Sequence, residues 1–137
     1  MKDRPRPVPD LHTEPYWSGL LSEALRVQAC EHCDVRVHPS RPCCPTCLNT
    51  NLSWVEVSGS GVVTGYCIVS QPFVAGFVTP YVVVRVSLID ALGVELIANF
   101  TGSATAAIAI GARVHVVFDE IDDNVVLANF KLETNAA

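Results

Sequence analysis

A chain of 137 residues holds one medium domain, or a small module beside a compact one. Half of its residues are apolar and its formal charge is −5, so a real core can form and a broadly basic surface is excluded. Valine is abundant and there is one methionine, which favours strands over helical bundles. No apolar run approaches the roughly 18 residues that span a membrane, and the N-terminus lacks the apolar core of a signal peptide. A cytoplasmic location is expected, where thiols stay reduced and paired cysteines signal metal more than disulfide.

Residues 1–13 carry Pro5, Pro7 and Pro9 with Lys2, Arg4 and Arg6, and read as an extended or poorly ordered arm. A helix is expected from Thr13, with Thr13 as N-cap and Glu14 and Pro15 in the first turn. Trp17, Leu20, Leu21 and Leu25 recur at helical spacing, although Gly19 interrupts the pattern.

Residues 27–52 hold Cys30, Cys33, Cys44 and Cys47, a C-x2-C-x10-C-x2-C pattern punctuated by Pro39, Pro42 and Pro45. Each pair can wrap a tight turn around one ion, and four thiolates closing a tetrahedron are the signature of structural zinc. Iron accepts the same four thiolates and is the sharper but less favoured alternative, an electron carrier. Cys43 would make an irregular C-x3-C pair and reads as a bystander; Cys67, mid-strand, reads as a small buried apolar group. His32 and His38 flank the site and read as exposed loop residues.

Strands are expected at Ser53–Ser58, Gly61–Gln71, Pro80–Asp90, Val94–Thr101, Arg113–Phe118 and Asn124–Leu132. Alternation is clearest in the third, with Val82, Val84, Val86 and Leu88 on one face and Arg85 and Ser87 on the other. Ser103 to Ile108 can form one or two helical turns capped by Ser103. This inventory suits a small closed barrel of the OB type. The fold class is therefore mainly β: an N-terminal helix and four-cysteine zinc ribbon, then a five-stranded OB-fold barrel. The division is 1–13 arm, 14–52 helix and ribbon, 53–137 barrel.

The order of parts is recognisable. The stretches RPCCPTC, SGSGVVTGY, TPYVVVRVSLID and GARVHVVFDEIDDNVVLANF, behind an aromatic-bearing helix, resemble the rubredoxin-like zinc ribbon plus OB-fold family called domain of unknown function 35. The resemblance covers residues 14–132. That family often has glycine after each second cysteine, where this chain has Asp34 and Leu48; leucine tolerates a left-handed turn poorly, so a differently shaped second knuckle is expected. The resemblance implies a non-catalytic accessory subunit of a thiolase-like aldolase or acyltransferase, acting in acyl-CoA and steroid side-chain metabolism. It implies a hetero-oligomer with acyl-CoA at the interface.

The residues themselves offer little for catalysis: there is no G-x-S-x-G elbow, Walker loop or zinc-protease pattern. Asp119, Glu120, Asp122 and Asp123 read as a solvated acidic turn, and His115 as a strand polar residue. A nucleic-acid-binding ribbon/OB protein is the first rival, but from Ser53 onward there are three basic residues against eight acidic ones, which repels a phosphate backbone. The iron electron carrier is the second rival, and independent acyl-CoA binding the third. For partner or acyl-CoA contact the candidates are Tyr16 and Trp17 on the helix, and Phe73 and Phe77 in the loop between the second and third strands.

Overall fold

The computed structural model describes residues 4–102 and 108–133. Among these residues one helix, α1 (Glu14–Leu21), precedes eight strands: β1 (Leu25–Cys30), β2 (Arg36–Val37), β3 (Leu52–Val57), β4 (Ser60–Val69), β5 (Tyr81–Leu88), β6 (Glu95–Asn99), β7 (Arg113–Asp122) and β8 (Val125–Leu132). The proposed turns over Ser103–Ile108 lie, save Ile108, outside the described residues.

Helix α1 starts where expected, with Thr13 at the N-cap position and Glu14 and Pro15 in the first turn, but the capping departs from expectation: Thr13 makes no side-chain cap. Asp10 organises the entry instead: its Oδ1 accepts the amides of His12 at 2.8 Å and Thr13 at 2.9 Å, and its carbonyl accepts that of Glu14 at 2.8 Å. The end departs too. Leu25 does not extend the helix but opens β1, because Glu23 turns left-handed at φ 57° and Ala24 N–H donates back to the Gly19 carbonyl at 2.8 Å. Gly19 fits that stop, since a Cβ there would lie 2.8 Å from the Ala24 carbonyl.

Two antiparallel systems follow. The first is a three-stranded sheet in the order β2-β1-β3; β1 pairs with β3 from Leu25↔Val57 to Cys30↔Leu52. The second holds five strands in the order β6-β5-β4-β7-β8, the strand inventory of an OB-fold. Among the described residues its ladder is not closed. The end of β6 approaches β8 at a parallel bridge, Phe100↔Phe130, with Thr101 N–H donating to the Phe130 carbonyl at 2.7 Å. The expected closed barrel is thus a curled sheet with a seam, because β6 spans only five residues. Asn129 stitches the seam: its Oδ1 accepts from Asn99 N at 3.3 Å and its Nδ2 donates to Asp119 Oδ2 at 2.6 Å.

The alternation in β5 holds. Val82, Val84, Val86 and Leu88 are buried and Arg85 is exposed. Burying one valine fully is worth roughly 1.5–3 kcal/mol, so this strand is a principal brace of the sheet. Leu20, Leu25, Val27 and Val57 join the same apolar cluster as Val63, Val84, Val114 and Phe130, so helix, ribbon sheet and OB sheet share one core. Between β3 and β4, Gly59 sits at φ 83°, and a Cβ there would meet Val116 Cγ1 at 2.1 Å. Only glycine fits so close an approach at that φ.

Candidate functional site

The four ribbon cysteines converge. Their Sγ atoms lie within 4.8 Å of one another, with Cys30–Cys47 at 3.5 Å and Cys33–Cys44 at 3.6 Å. A tetrahedron with metal–sulfur bonds of about 2.3 Å has edges of about 3.8 Å, so the spacing fits one ion. It is too long for a disulfide bond of about 2.05 Å. Cys43 is not part of the cluster.

Both knuckles are built alike. Cys30 N–H donates to the Val35 carbonyl and Asp34 N–H to the Cys30 carbonyl, each at 2.9 Å; Cys44–Asn49 and Leu48–Cys44 repeat the pattern at 2.9 Å. Asp34 (φ 59°) and Leu48 (φ 63°) are both left-handed. The second knuckle is therefore not reshaped by leucine; the hydrogen bonds of the turn impose the strained conformation. Arg36 steadies the first, donating to the Asp34 carbonyl at 3.1 Å and carboxylate at 2.9 Å.

The thiols divide unequally in their hold on protons. Cys44 is drawn down to about 6 by the backbone amide of Cys47 and, against burial, that of Thr46, whose N–H lies 3.4 Å from Sγ. At Cys33 the Val35 amide pulls the other way, but burial and hydrogen bonds with Cys44, Cys30 and Cys47 push the thiol up to about 12. A cation compensates the crowding of several thiolates, which is the chemistry of a metal site.

Two features of the ribbon carry no clear signal in the sequence. Gln28, buried on β1, binds the backbone of Arg41 twice: Nε2 donates to its carbonyl at 3.2 Å, and its N–H donates to Oε1 at 2.8 Å. This ties the inter-knuckle loop to the sheet. His38 is half-buried rather than exposed; its ring lies 5.5 Å from that of Tyr16, and burial lowers its pKa. Tyr16 meets Trp17 edge-on at 5.0 Å, and burial pushes its phenol up to about 12. Tyr16 and Trp17 are half-buried and pack against the core, and they line a shallow groove with Ile97 and Leu127.

The other two aromatics do not line that groove. Phe73 is exposed. Phe77 stacks on Tyr81 at 4.8 Å, with the Arg4 guanidinium 4.3 Å above its ring. Beneath them is a cleft of about 570 Å³ lined by Phe77, Val78, Tyr81, Phe100, Ile121 and Leu127, with Asp119 and Asn129 at its polar end. The acidic turn is structural here: Asp122 accepts the amides of Asn124 and Val125 and pairs with Arg6. Half-buried His115 faces Ser60 Oγ at 3.2 Å. Cys67 is exposed, contrary to the buried position expected, because β4 has left β7 before reaching it.

Comparison with known proteins agrees with this architecture. The family model "ChsH2, rubredoxin-like zinc ribbon domain" matches residues 17–53, and "ChsH2, C-terminal OB-fold domain" matches residues 54–119. A solved structure named "Ltp2-ChsH2(DUF35) aldolase" is 31% identical with TM-score 0.84, over 93% of this chain and 98% of that one. The chain belongs to the ChsH2 (DUF35) family. A DUF35 protein of unknown function from Sulfolobus solfataricus shares the fold, with TM-score 0.64 at 16% identity over 90% of this chain and 86% of that one. Among curated proteins, the "Probable enoyl-CoA hydratase alpha subunit" of Thermomonospora curvata is 33% identical over 93% of this chain and 40% of its own length. The "3-oxo-4,17-pregnadiene-20-carboxyl-CoA hydratase alpha subunit" of Mycobacterium tuberculosis is 28% identical over 86% of this chain and 37% of its own. This ChsH2-family chain thus spans about two fifths of the length of the curated relatives it matches. No helix among its described residues is long and apolar enough to cross a membrane.

Proposed function

We propose that the chain is a non-catalytic accessory subunit of a thiolase-like acyl-CoA enzyme, an aldolase or acyltransferase of steroid side-chain degradation. The observation that carries this reading is the end-to-end likeness to a chain of the Ltp2-ChsH2(DUF35) aldolase. In it, Cys30, Cys33, Cys44 and Cys47 hold structural zinc, a closed four-thiolate site that braces the ribbon and leaves no position for substrate. The partner supplies the nucleophile and the acid–base groups. This chain meets it through the Phe73–Phe77 loop and the Tyr16–Trp17 helix, and the cleft below Phe77 borders the apolar part of the acyl-CoA. The assembly is a cytoplasmic hetero-oligomer.

The names of the curated relatives favour a second reading, an accessory part of an enoyl-CoA hydratase. Co-expression with the thiolase-like protein encoded nearest to it, and separately with a hydratase-like subunit, followed by size exclusion and metal analysis, separates the two. A stable thiolase-like complex with about one zinc per chain is expected. Co-elution with the hydratase alone moves the chain to the second reading, and a chain that ignores both is not an accessory subunit of either.

A further inference from the structure

The long strand β4 divides in two at Thr64. Up to Val62 it pairs with β5 on one side and β7 on the other, and Val63 exchanges hydrogen bonds with Ala112 and Gly111. Between Val63 and Gly65 the register shifts by a bulge. The bulge is held from β5: Arg85 Nε donates to Thr64 Oγ1 at 3.0 Å and its Nη2 to the Thr64 carbonyl at 3.1 Å. Glu95 of β6 accepts from Thr64 Oγ1 at 2.7 Å and pairs with Arg85 at 3.1 Å. Bulges bend a strand and end its pairing. Beyond this one, Gly65–Val69 keep β5 as their neighbour but have no strand on the other side among the described residues.

That open edge is chemically unusual for this chain. Residues 61–84 contain no Asp, Glu, Lys, Arg or His, in a protein whose charged residues make up 17% of the whole. Tyr66, Cys67 and Ile68 are consecutive and all exposed, so the strand shows apolar groups on both faces. Phe73, Val74 and Val78 continue the exposed apolar surface around the same hairpin. Native sheets guard such edges with lysine, proline or a covering element, and Gly65–Val69 has neither residue. Unpaired backbone donors and acceptors call for another main chain, and a strand apolar on both faces calls for cover from both sides.

We infer that the Gly65–Val69 edge of β4 receives an extended, uncharged apolar segment of the partner enzyme subunit, which adds to the sheet as a sixth strand. This rests on the accessory-subunit reading and supplies its mode of docking. The absence of charge selects against acidic or basic peptides and against nucleic acid, because either would lose its counterions or hydration for no compensating pair.

The test is residue-resolved hydrogen exchange on the full chain, free and in complex with the thiolase-like partner. Alternate residues of a strand direct their amides to opposite neighbours. Strand addition therefore slows exchange by about tenfold or more at every second residue of Gly65–Val69, leaving the β5-facing amides unchanged. Ile68→Lys, at an exposed position, is expected to weaken the complex at least about tenfold. Leu92→Lys, on the exposed β5–β6 turn, is expected to leave it unchanged. A complex that forms without the alternating pattern, and tolerates Ile68→Lys, overturns the docking mode while sparing the accessory role. Failure of any complex to form overturns both. The same alternating protection in the isolated chain, rising with its concentration, also overturns the proposal and assigns the edge to a second copy.

Discussion

Leu48 is the residue that fits its place worst. It holds φ 63° at the turn of the second knuckle, and its side chain is 71% exposed, so little burial offsets the strain. A left-handed conformation costs an L-residue about 1–2 kcal/mol relative to glycine. Glycine gives back part of that through its freer unfolded chain, about 0.4–1 kcal/mol. Leu48→Gly is therefore expected to raise stability by about 0.5–1 kcal/mol, read as an upward shift of the urea midpoint with unchanged slope. A lower midpoint would mean that Leu48 makes contacts in the folded chain that outweigh the strain. Asp34 stands at the equivalent φ of 59° but has help from Arg36, so the same change there gains less.

At the level of elements, the ribbon is joined to its sheet by a polar tie rather than by apolar packing alone. The Gln28 amide satisfies both backbone groups of Arg41, which lies in the loop between the two knuckles. Removing it takes both hydrogen bonds from the part-buried Arg41 backbone, at about 0.5–1.5 kcal/mol each. Gln28→Ala should lower stability by about 2 kcal/mol and loosen the loop, so that a competing chelator strips the metal faster; an unchanged stripping rate would show the loop to be held otherwise. This tie was not legible in the sequence, because a glutamine on a strand gives no sign of its partner 13 residues away. The β5 strand was legible, since Val84, Val86 and Leu88 alternate with Arg85 and Ser87. Leu25 was not, because it continues the helical spacing from Leu21 and also begins the β1 alternation. What decides between them is the left-handed turn at Glu23, a residue type that does not advertise one. The four cysteines were legible from spacing alone. The exposure of Cys67 was not, since it follows from where β4 parts from β7.

Across the whole molecule the metal site and the OB sheet are mechanically linked. Cys30 ends β1, the central strand of the ribbon sheet, and Leu25 and Val27 of that strand lie in the core with Val84 and Phe130. The β3 strand then passes into β4 through Gly59, whose carbonyl accepts the Val116 amide at 2.9 Å. Loss of the metal leaves thiols crowded at 3.5–3.6 Å, with Cys44 holding charge and Cys33 holding its proton. The first knuckle, which begins at Cys30, then relaxes by pulling on β1. Because β1 is core, its release exposes apolar surface on the OB side as well, and unfolding remains one cooperative event. Chelation should therefore lower the stability of the entire chain, by about 4 kcal/mol from a state with free metal a thousandfold above its Kd. Thermal melts followed by far-ultraviolet circular dichroism and by tryptophan fluorescence, which reports Trp17 on the helix and Trp54 on β3, are expected to shift down together. A circular dichroism transition that stays in place while the fluorescence moves would show the OB sheet standing without the ribbon, and the shared core would then contribute little to either.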